Sequence, residues 1–585
     1  MAVSPFKLDA VSRLLAQGKF AQAESELLKL GRISPGDPNV ADLLTSLFAE
    51  TGRFEQAAFA AERRAALLPH DFLAQSTVVQ MLLAAKKPEE ALARARAVFE
   101  RSRSQPGAVL VLASALLHLG RGSECAALVA ERAAAGIHND DLRGMRASAL
   151  LAMGRTPEAE AELRRILQNS PRHRSALSLL ATVLNYVPGA DLDELFQIHV
   201  RYGKEMEKLH PPAPRRAPPT TRSPLTVAML SPDLHEHSVS RFVEPIVRHA
   251  DRARVRIVLI SMGMTSDATS ERLASLADAW HDLRPPSWQR LADICTQEKV
   301  DVLIELGGHM TNTPLPYMVP RIAGLQGSAI GYPSTTGLPT IDFRIVDSIT
   351  DPPGESDRRA TERLIRLDPC FLCFQPPIAS PEVSALPAPS KGFVTFGSFN
   401  AFSKIHDGVL ADWAEVLRRV PDSRLHIKGL VADDPGIKRD MQERAAAAGI
   451  APERLTVLGK EGTTRNHLDR YAEIDIALDP FPYHGTTTTC EALWMGVPVV
   501  TRTGTTHASR VGASLLNAVG LPQLVAADRE GYLNAAASLA GDLPALASMR
   551  AGLRERVRAS VLCDGPAYAR RWAEALIQAA AAPRP

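Results

Sequence analysis

The sequence predicts an all-helical repeat array followed by an α/β module built from two strand–helix halves. Three observations predict it. Small residues recur every 34 positions through the first third, a proline-dense stretch follows near residue 214, and short β-branched runs then alternate with amphipathic segments. At 585 residues the chain is too long for one hydrophobic core. The boundaries read from these features are 1–208 for the array, 209–222 for a linker, and 223–385 and 386–585 for the two halves.

In the array, Ala23, Ala57, Ala91, Cys125 and Ala159 stand 34 residues apart. Five residues before each sits Gly18, Gly52, Lys86, Gly120 or Gly154, and proline recurs on the same period at Pro35, Pro69 and Pro171. The glycine closes a first helix, because a left-handed turn residue is cheapest without a Cβ. The small residue lets a second helix pack closely on the first, and the proline ends it. These five in-phase units resemble the tetratricopeptide repeat. The resemblance implies a superhelix whose concave groove holds a protein segment, with a plain structural spacer as the alternative. A further helical stretch is expected over about 174–208.

Pro211, Pro212, Pro214, Pro218 and Pro219 then preclude a helix and read as a stiff, extended linker. Beyond it, candidate strands are Leu225–Leu230, Val255–Ser261, Val300–Leu306, Phe393–Phe396, Arg424–Lys428, Leu455–Leu458, Ile474–Leu478 and Val497–Thr501. Helical segments over 270–280, 287–299, 408–420 and 465–473 separate them, which argues for parallel sheets covered on both faces. Prolines at 376, 377, 381, 387 and 389 interrupt the alternation and mark the border between the halves.

Composition excludes several classes. With 67 basic and 65 acidic side chains the net charge is +2, so no electrostatic footprint for nucleic acid is present. No apolar run reaches bilayer length, and the first residues lack a secretory signal pattern, so a cytoplasmic protein without a membrane span is expected. The single C-x-x-C, Cys370 to Cys373, has neither a second pair nor local histidines to make a zinc site. Asp191-Leu-Asp193 precedes a helical pattern and reads as a cap rather than a metal ligand. No metal is expected.

The segment with most chemistry runs from Leu478 through Tyr483, Gly485 and Thr486-Thr487-Thr488-Thr489 to Glu491. A strand ends, a glycine-containing loop follows, and threonines open a helix. Free N–H groups there attract phosphate, and hydroxyls add donors without bulk. Glu491, one turn inside, is placed to accept from a ribose hydroxyl. A threonine-rich cap with a first-turn glutamate is the plain alternative.

The tract from Asp475 to about Gly520, including His507-Ala-Ser-Arg510, resembles the O-GlcNAc transferases of glycosyltransferase family 41. So do Phe396-Gly-Ser-Phe-Asn400-Ala-Phe-Ser-Lys404 and Gly331-Tyr-Pro333-Ser-Thr-Thr-Gly337 with Asp342 and Asp347 after it. With the repeats, the resemblance covers nearly the whole chain. It implies two Rossmann-like halves of the GT-B type and an inverting, metal-independent transfer of sugar to a Ser or Thr hydroxyl. UDP-GlcNAc is the implied co-substrate, with no resident cofactor. Lys404 corresponds to the lysine that neutralises the donor pyrophosphate. Thr487 and Thr488, with Thr486 and Asn400 beside them, match the diphosphate site, and Glu491 the ribose carboxylate. His467 matches a histidine at the base, and Gly331 and Pro333 the loop near the transferred sugar. His237 matches an active-site histidine, general base or positioning residue, ahead of His235 and His309.

Two departures from the family pattern touch the donor site. Ala401 stands where an amide residue is usual three before the lysine, and 462–466 lacks the lysine that animal members carry near the base. Two other readings therefore accompany the first. One is a flagellin glycosyltransferase using another donor, such as a CMP-nonulosonic acid. The other is a repeat adaptor with a degenerate catalytic half, which the retained Lys404, Thr487, Thr488 and Glu491 oppose.

Overall fold

The computed structural model describes residues 3–209, 223–263, 265–284 and 286–582. The proline-rich stretch 210–222, most of the expected linker, lies outside the described residues. The chain forms two compact units, Met1–Leu150 and Leu151–Pro585.

The helices follow one another as the 34-residue period requires: Pro5–Ala16 then Phe20–Ile33, Pro38–Glu50 then Phe54–Leu67, Phe72–Ala84 then Pro88–Arg101, Pro106–His118 then Gly122–Ala134, and Asp140–Ala152 then Thr156–Asn169. Between partners, Gly18, Gly52, Gly120 and Gly154 have φ of +70° to +78°, and Lys86 takes the same left-handed turn at +59°. Ala23, Ala57, Ala91, Cys125 and Ala159 are all fully buried. The period is thus a packing constraint: a larger side chain at these positions would push the two helices of a repeat apart.

The second unit begins before the proline-rich stretch, so the helices Thr156–Asn169, Arg174–Leu184 and Leu192–Glu207 belong with the sheets. Asp191 caps the last of them, accepting from the amides of Asp193 and Glu194 at 2.9 and 3.2 Å. These helices are welded to the module by polar contacts. Ser178 Oγ and His309 Nδ1 are 2.9 Å apart, and His199 Nε2 lies 2.8 Å from the Tyr332 hydroxyl. Buried Arg444 donates to the carbonyls of Met153, Gly154 and Ile405. Backbones also touch: a Cβ on Gly203 would stand 1.9 Å from the Gly337 carbonyl oxygen.

The first sheet contains β1 (Leu225–Ser231), β2 (Val255–Ser261), β3 (Ala279–Asp282), β4 (Val302–Glu305), β5 (Leu325–Ser328), β6 (Phe343–Val346) and β7 (Arg363–Arg366). Its order is β3-β2-β1-β4-β5-β6-β7. The second contains β8 (Thr395–Ser398), β9 (Arg424–Lys428), β10 (Leu455–Leu458), β11 (Ile476–Leu478), β12 (Val499–Arg502) and β13 (Val525–Ala526), ordered β10-β9-β8-β11-β12-β13. Every pairing is parallel. Both sheets are therefore doubly wound, each reversing direction beside its first strand. The helix expected over 270–280 stops at Leu276, and Ala279–Asp282 is strand instead. Its partner is β2, whose hydrogen bonds outweigh local helical propensity at this edge.

The two halves interlock. The last helix, Gly565–Ala581, sends Tyr568, Trp572 and Leu576 into the core of the first half. In return Phe242, Phe371 and Phe374 join the core of the second. Across the border Asp347 accepts from Ser514 Oγ at 2.5 Å, and Asp351 Oδ2 lies 2.5 Å from His507 Nδ1.

Candidate active site

In an open parallel sheet the crevice outside the strand ends, at the point of reversal, is the natural ligand site. In the second sheet that point lies between β8 and β11, and the sequence motifs converge on it. Asn400 and Lys404 follow β8; Gly485, Thr486 and the helix Thr487–Trp494 follow β11. Asn400 Oδ1 accepts from Thr488 Oγ1 at 3.0 Å, tying the two loops together. Gly485 is required here, since a Cβ would approach Thr488 Oγ1 to 2.5 Å and Asn400 Oδ1 to 3.0 Å. The Thr486 side chain makes no capping hydrogen bond, so the first amides of the helix keep no side-chain partner from it.

Lys404 Nζ donates to the His484 carbonyl at 2.7 Å and sits 4.6 Å from the Tyr483 ring centre. Burial lowers its pKa to about 8, with the Asp479 charge opposing the shift. Asp479 is itself pushed up by burial. Its two oxygens accept from the Gly485 amide and from Thr501 Oγ1, each at 2.7 Å. His484 donates through Nε2 to the Arg502 carbonyl at 2.9 Å and accepts at Nδ1 from the Gly512 amide at 3.1 Å, which fixes its tautomer. An ammonium and a carboxylate are thus held under one loop, with the ammonium's charge only partly compensated.

A second cluster lies one helical turn further on. Lys428, at the carboxyl end of β9, places Nζ 2.9 Å from His467 Nδ1, and His467 Nε2 lies 3.0 Å from Glu491 Oε2. Lysine can only donate, so Nδ1 accepts and Nε2–H points at the carboxylate. Phe399 and Tyr471 flank this row at ring separations of 6.1 and 5.7 Å from His467. Lys428 is buried, and burial lowers its pKa.

The first half contributes the opposite wall. His237 follows β1 at that sheet's own reversal point; it is exposed, 3.9 Å from Asp233 Oδ2, and accepts from the Val239 amide at 3.3 Å. Partial desolvation by the surrounding cleft lowers its pKa, with Asp233 acting the other way. Its neighbour Glu236 accepts from Thr464 Oγ1 at 3.1 Å, three residues before His467, so the two walls meet here. Gly331 sits where a Cβ would come within 2.0 Å of the Leu306 carbonyl oxygen, and Pro333 is buried. His309 is committed elsewhere: its Nε2 lies 2.9 Å from the Thr336 carbonyl, and its Nδ1 faces Ser178.

The structure therefore brings Asn400, Lys404, Thr486, Thr487, Thr488, Glu491 and His467 to one sheet end, and sets His237, Gly331 and Pro333 in the facing half. Sequence reasoning gave no role to Lys428, Asp479 or His484. A lysine closing a strand beside a glycine, Lys428-Gly429, was the one available signal for the first of them. Cys370 and Cys373 are buried free thiols, and among the described residues no cluster of His, Cys, Asp or Glu is arranged to hold a metal ion. No helix among them is long and apolar enough to cross a membrane.

Two doubly wound parallel sheets in facing halves are the GT-B architecture. The comparisons agree: the chain belongs to glycosyl transferase family 41, whose profile matches residues 205–374 and 379–572. The rice "Probable UDP-N-acetylglucosamine--peptide N-acetylglucosaminyltransferase SPINDLY" (Oryza sativa subsp. japonica) is 39% identical over 409 residues, covering 69% of this chain and 44% of that protein. The Arabidopsis thaliana relative named SEC is 27% identical over 341 residues, covering 56% and 34%. The chain spans less than half the length of these curated relatives. Among solved structures, a mutant of the Thermobaculum terrenum O-GlcNAc transferase aligns over 98% of this chain and 96% of its own, with a TM-score of 0.70 and 27% identity.

Proposed function

We propose that this protein transfers GlcNAc from UDP-GlcNAc to Ser or Thr hydroxyls of a protein acceptor, with inversion at the anomeric carbon. The observation that carries this is the juxtaposition of Lys404 with the threonine-headed helix at the reversal point of the second sheet. Nucleophilic attack by the acceptor hydroxyl breaks the bond between the anomeric carbon and the diphosphate oxygen. The departing nucleoside diphosphate gains negative charge, and Lys404, the Thr487 and Thr488 hydroxyls and the helix amides are set to offset it without a metal. Glu491, held by His467, faces the ribose, and Lys428 completes the row toward the base. His237, in the opposite wall, orients the acceptor hydroxyl or receives its proton. The donor named for the plant relatives supports UDP-GlcNAc, and the helical repeats support an acceptor held as an extended segment.

The test is transfer of labelled GlcNAc to protein hydroxyls, scored by release of the label on β-elimination. Wild type should incorporate label, and Lys404→Ala should lose about 10²- to 10³-fold in rate, the range for removing one electrostatic stabiliser of a transition state. Equal incorporation by wild type and variant overturns the assignment.

A further inference from the structure

A solvent-open pocket bordered by Pro333 of the sugar-side loop has no role in the account above. Helix Leu192–Glu207 forms one side through Phe196, the sugar-side loop another through Pro333, and residues 505–510 of the second half close it. Asn185, at its rim, precedes Tyr186, whose ring stacks at 4.4 Å on Tyr483 beneath Lys404.

The pocket wall contains a guanidinium that is paired with Asp351 but has one hydrogen bond unmade. Arg344, on β6, is 4% exposed, and its Nη2 has no hydrogen-bond partner. Its Nη1 is 3.6 Å from Asp351 Oδ1, beyond hydrogen-bond length, while Asp351 Oδ2 is taken by His507 Nδ1 at 2.5 Å. Arg510, in the same wall, donates to main-chain carbonyls, those of Gly504 at 2.8 Å and Ile349 at 3.4 Å. A buried guanidinium with an unmade hydrogen bond is costly, and in a native structure it marks a ligand or water position. Two guanidiniums facing one space favour a planar anion that accepts two parallel bonds. Asp351 and Glu355 also line the cavity, and they disfavour a doubly charged phosphate while tolerating a monoanion.

We propose that this cavity is an acceptor subsite which takes the carboxylate of an Asp or Glu flanking the modified Ser or Thr, with Arg344 and Arg510 as specificity-determining residues. The proposal rests on the glycosyltransferase reading, because it takes the occupant to be part of the acceptor chain.

The experiment uses the full chain saturated with UDP and a panel of labelled, serine-centred nonapeptides. Each peptide is identical except for Asp, Asn or Lys at one flanking position, and binding is read by fluorescence anisotropy. At one position Asp should bind about tenfold more tightly than Asn, with Lys weakest, as expected for a charge-assisted pair against a neutral one. Arg510→Gln should erase the preference, and Arg344→Met should do the same while UDP still raises its melting temperature. Should Arg344→Met not fold, Arg510→Gln and the peptide panel decide alone. Equal binding of Asp and Asn peptides at every position, by protein that UDP stabilises, overturns the subsite. Absence of stabilisation by UDP in wild type overturns the donor reading instead.

Discussion

Lys404 shows how one residue's surroundings set its chemistry. Desolvated in its loop, it keeps its proton less firmly than a surface lysine, with a pKa of about 8, although the Asp479 charge and the His484 carbonyl favour the ammonium. A diphosphate binds the protonated form better, so affinity for UDP is fully present below pH 8 and is lost as pH rises through it. As pH rises from 7.5 to 9.5 the dissociation constant, measured by calorimetry, should be nearly level at first and then climb above pH 8 toward roughly tenfold per unit, until the complex's own pKa is reached. The same series in Lys404→Met should be flat over that range, and a matching slope would assign the titration to another group. Little of this was readable beforehand. The family motif pointed to Lys404, but the depression comes from burial in the folded loop, which no local pattern announces. Lys428 escaped notice for the same reason, as its partner His467 lies 39 residues on.

Among elements, those with a strong local signature were legible and those defined by their neighbours were not. The repeat helices announce themselves because one small residue per 34 must be buried at the helix contact, and all five are. Strands β2, β9 and β10 fall where the β-branched runs predict, residue for residue. Strands β6 and β7 carry arginines, β3 is Ala-Trp-His-Asp, and β13 has two residues, so composition hides them and only pairing in the sheet makes them strands. The contact between helix Leu192–Glu207 and the sugar-side loop was equally silent, though its glycines were visible. Gly203 and Gly337 are there because backbone meets backbone, and Gly337 also needs φ of +74°. Gly203→Ala should lower stability by about 1–3 kcal/mol, the usual cost of overpacking, in denaturant melts. It should also weaken transfer more than UDP binding, because the loop it displaces holds Gly331 and Pro333. An unchanged melting curve would show that the helix is free to shift.

At the scale of the molecule, the division into units separates two duties. Residues 1–150 form one unit, while the helices between Leu151 and Glu207 are built into the sheet-bearing one through Arg444, His309 and His199. Removing residues 1–150 should leave UDP stabilisation intact and sharply reduce transfer to whole protein acceptors. Removing residues 1–207 should abolish cooperative folding of the remainder, since buried His309, Tyr332 and Arg444 would lose their partners. Circular dichroism melts of the two truncations distinguish the cases, and an independently stable 208–585 fragment would contradict this account.

The central claim is that the reversal point of the second sheet is a uridine diphosphate site. It is tested most directly by thermal stabilisation of the full chain with UDP, CMP and GDP side by side, each at saturating concentration. A ligand at 100 times its dissociation constant stabilises the native state by about 2.7 kcal/mol, enough for a clear rise in melting temperature. The account predicts a rise with UDP, reduced in Lys404→Ala, and little with the other two. A rise with GDP or CMP and none with UDP would contradict the assigned donor, and no rise with any of the three would contradict the site.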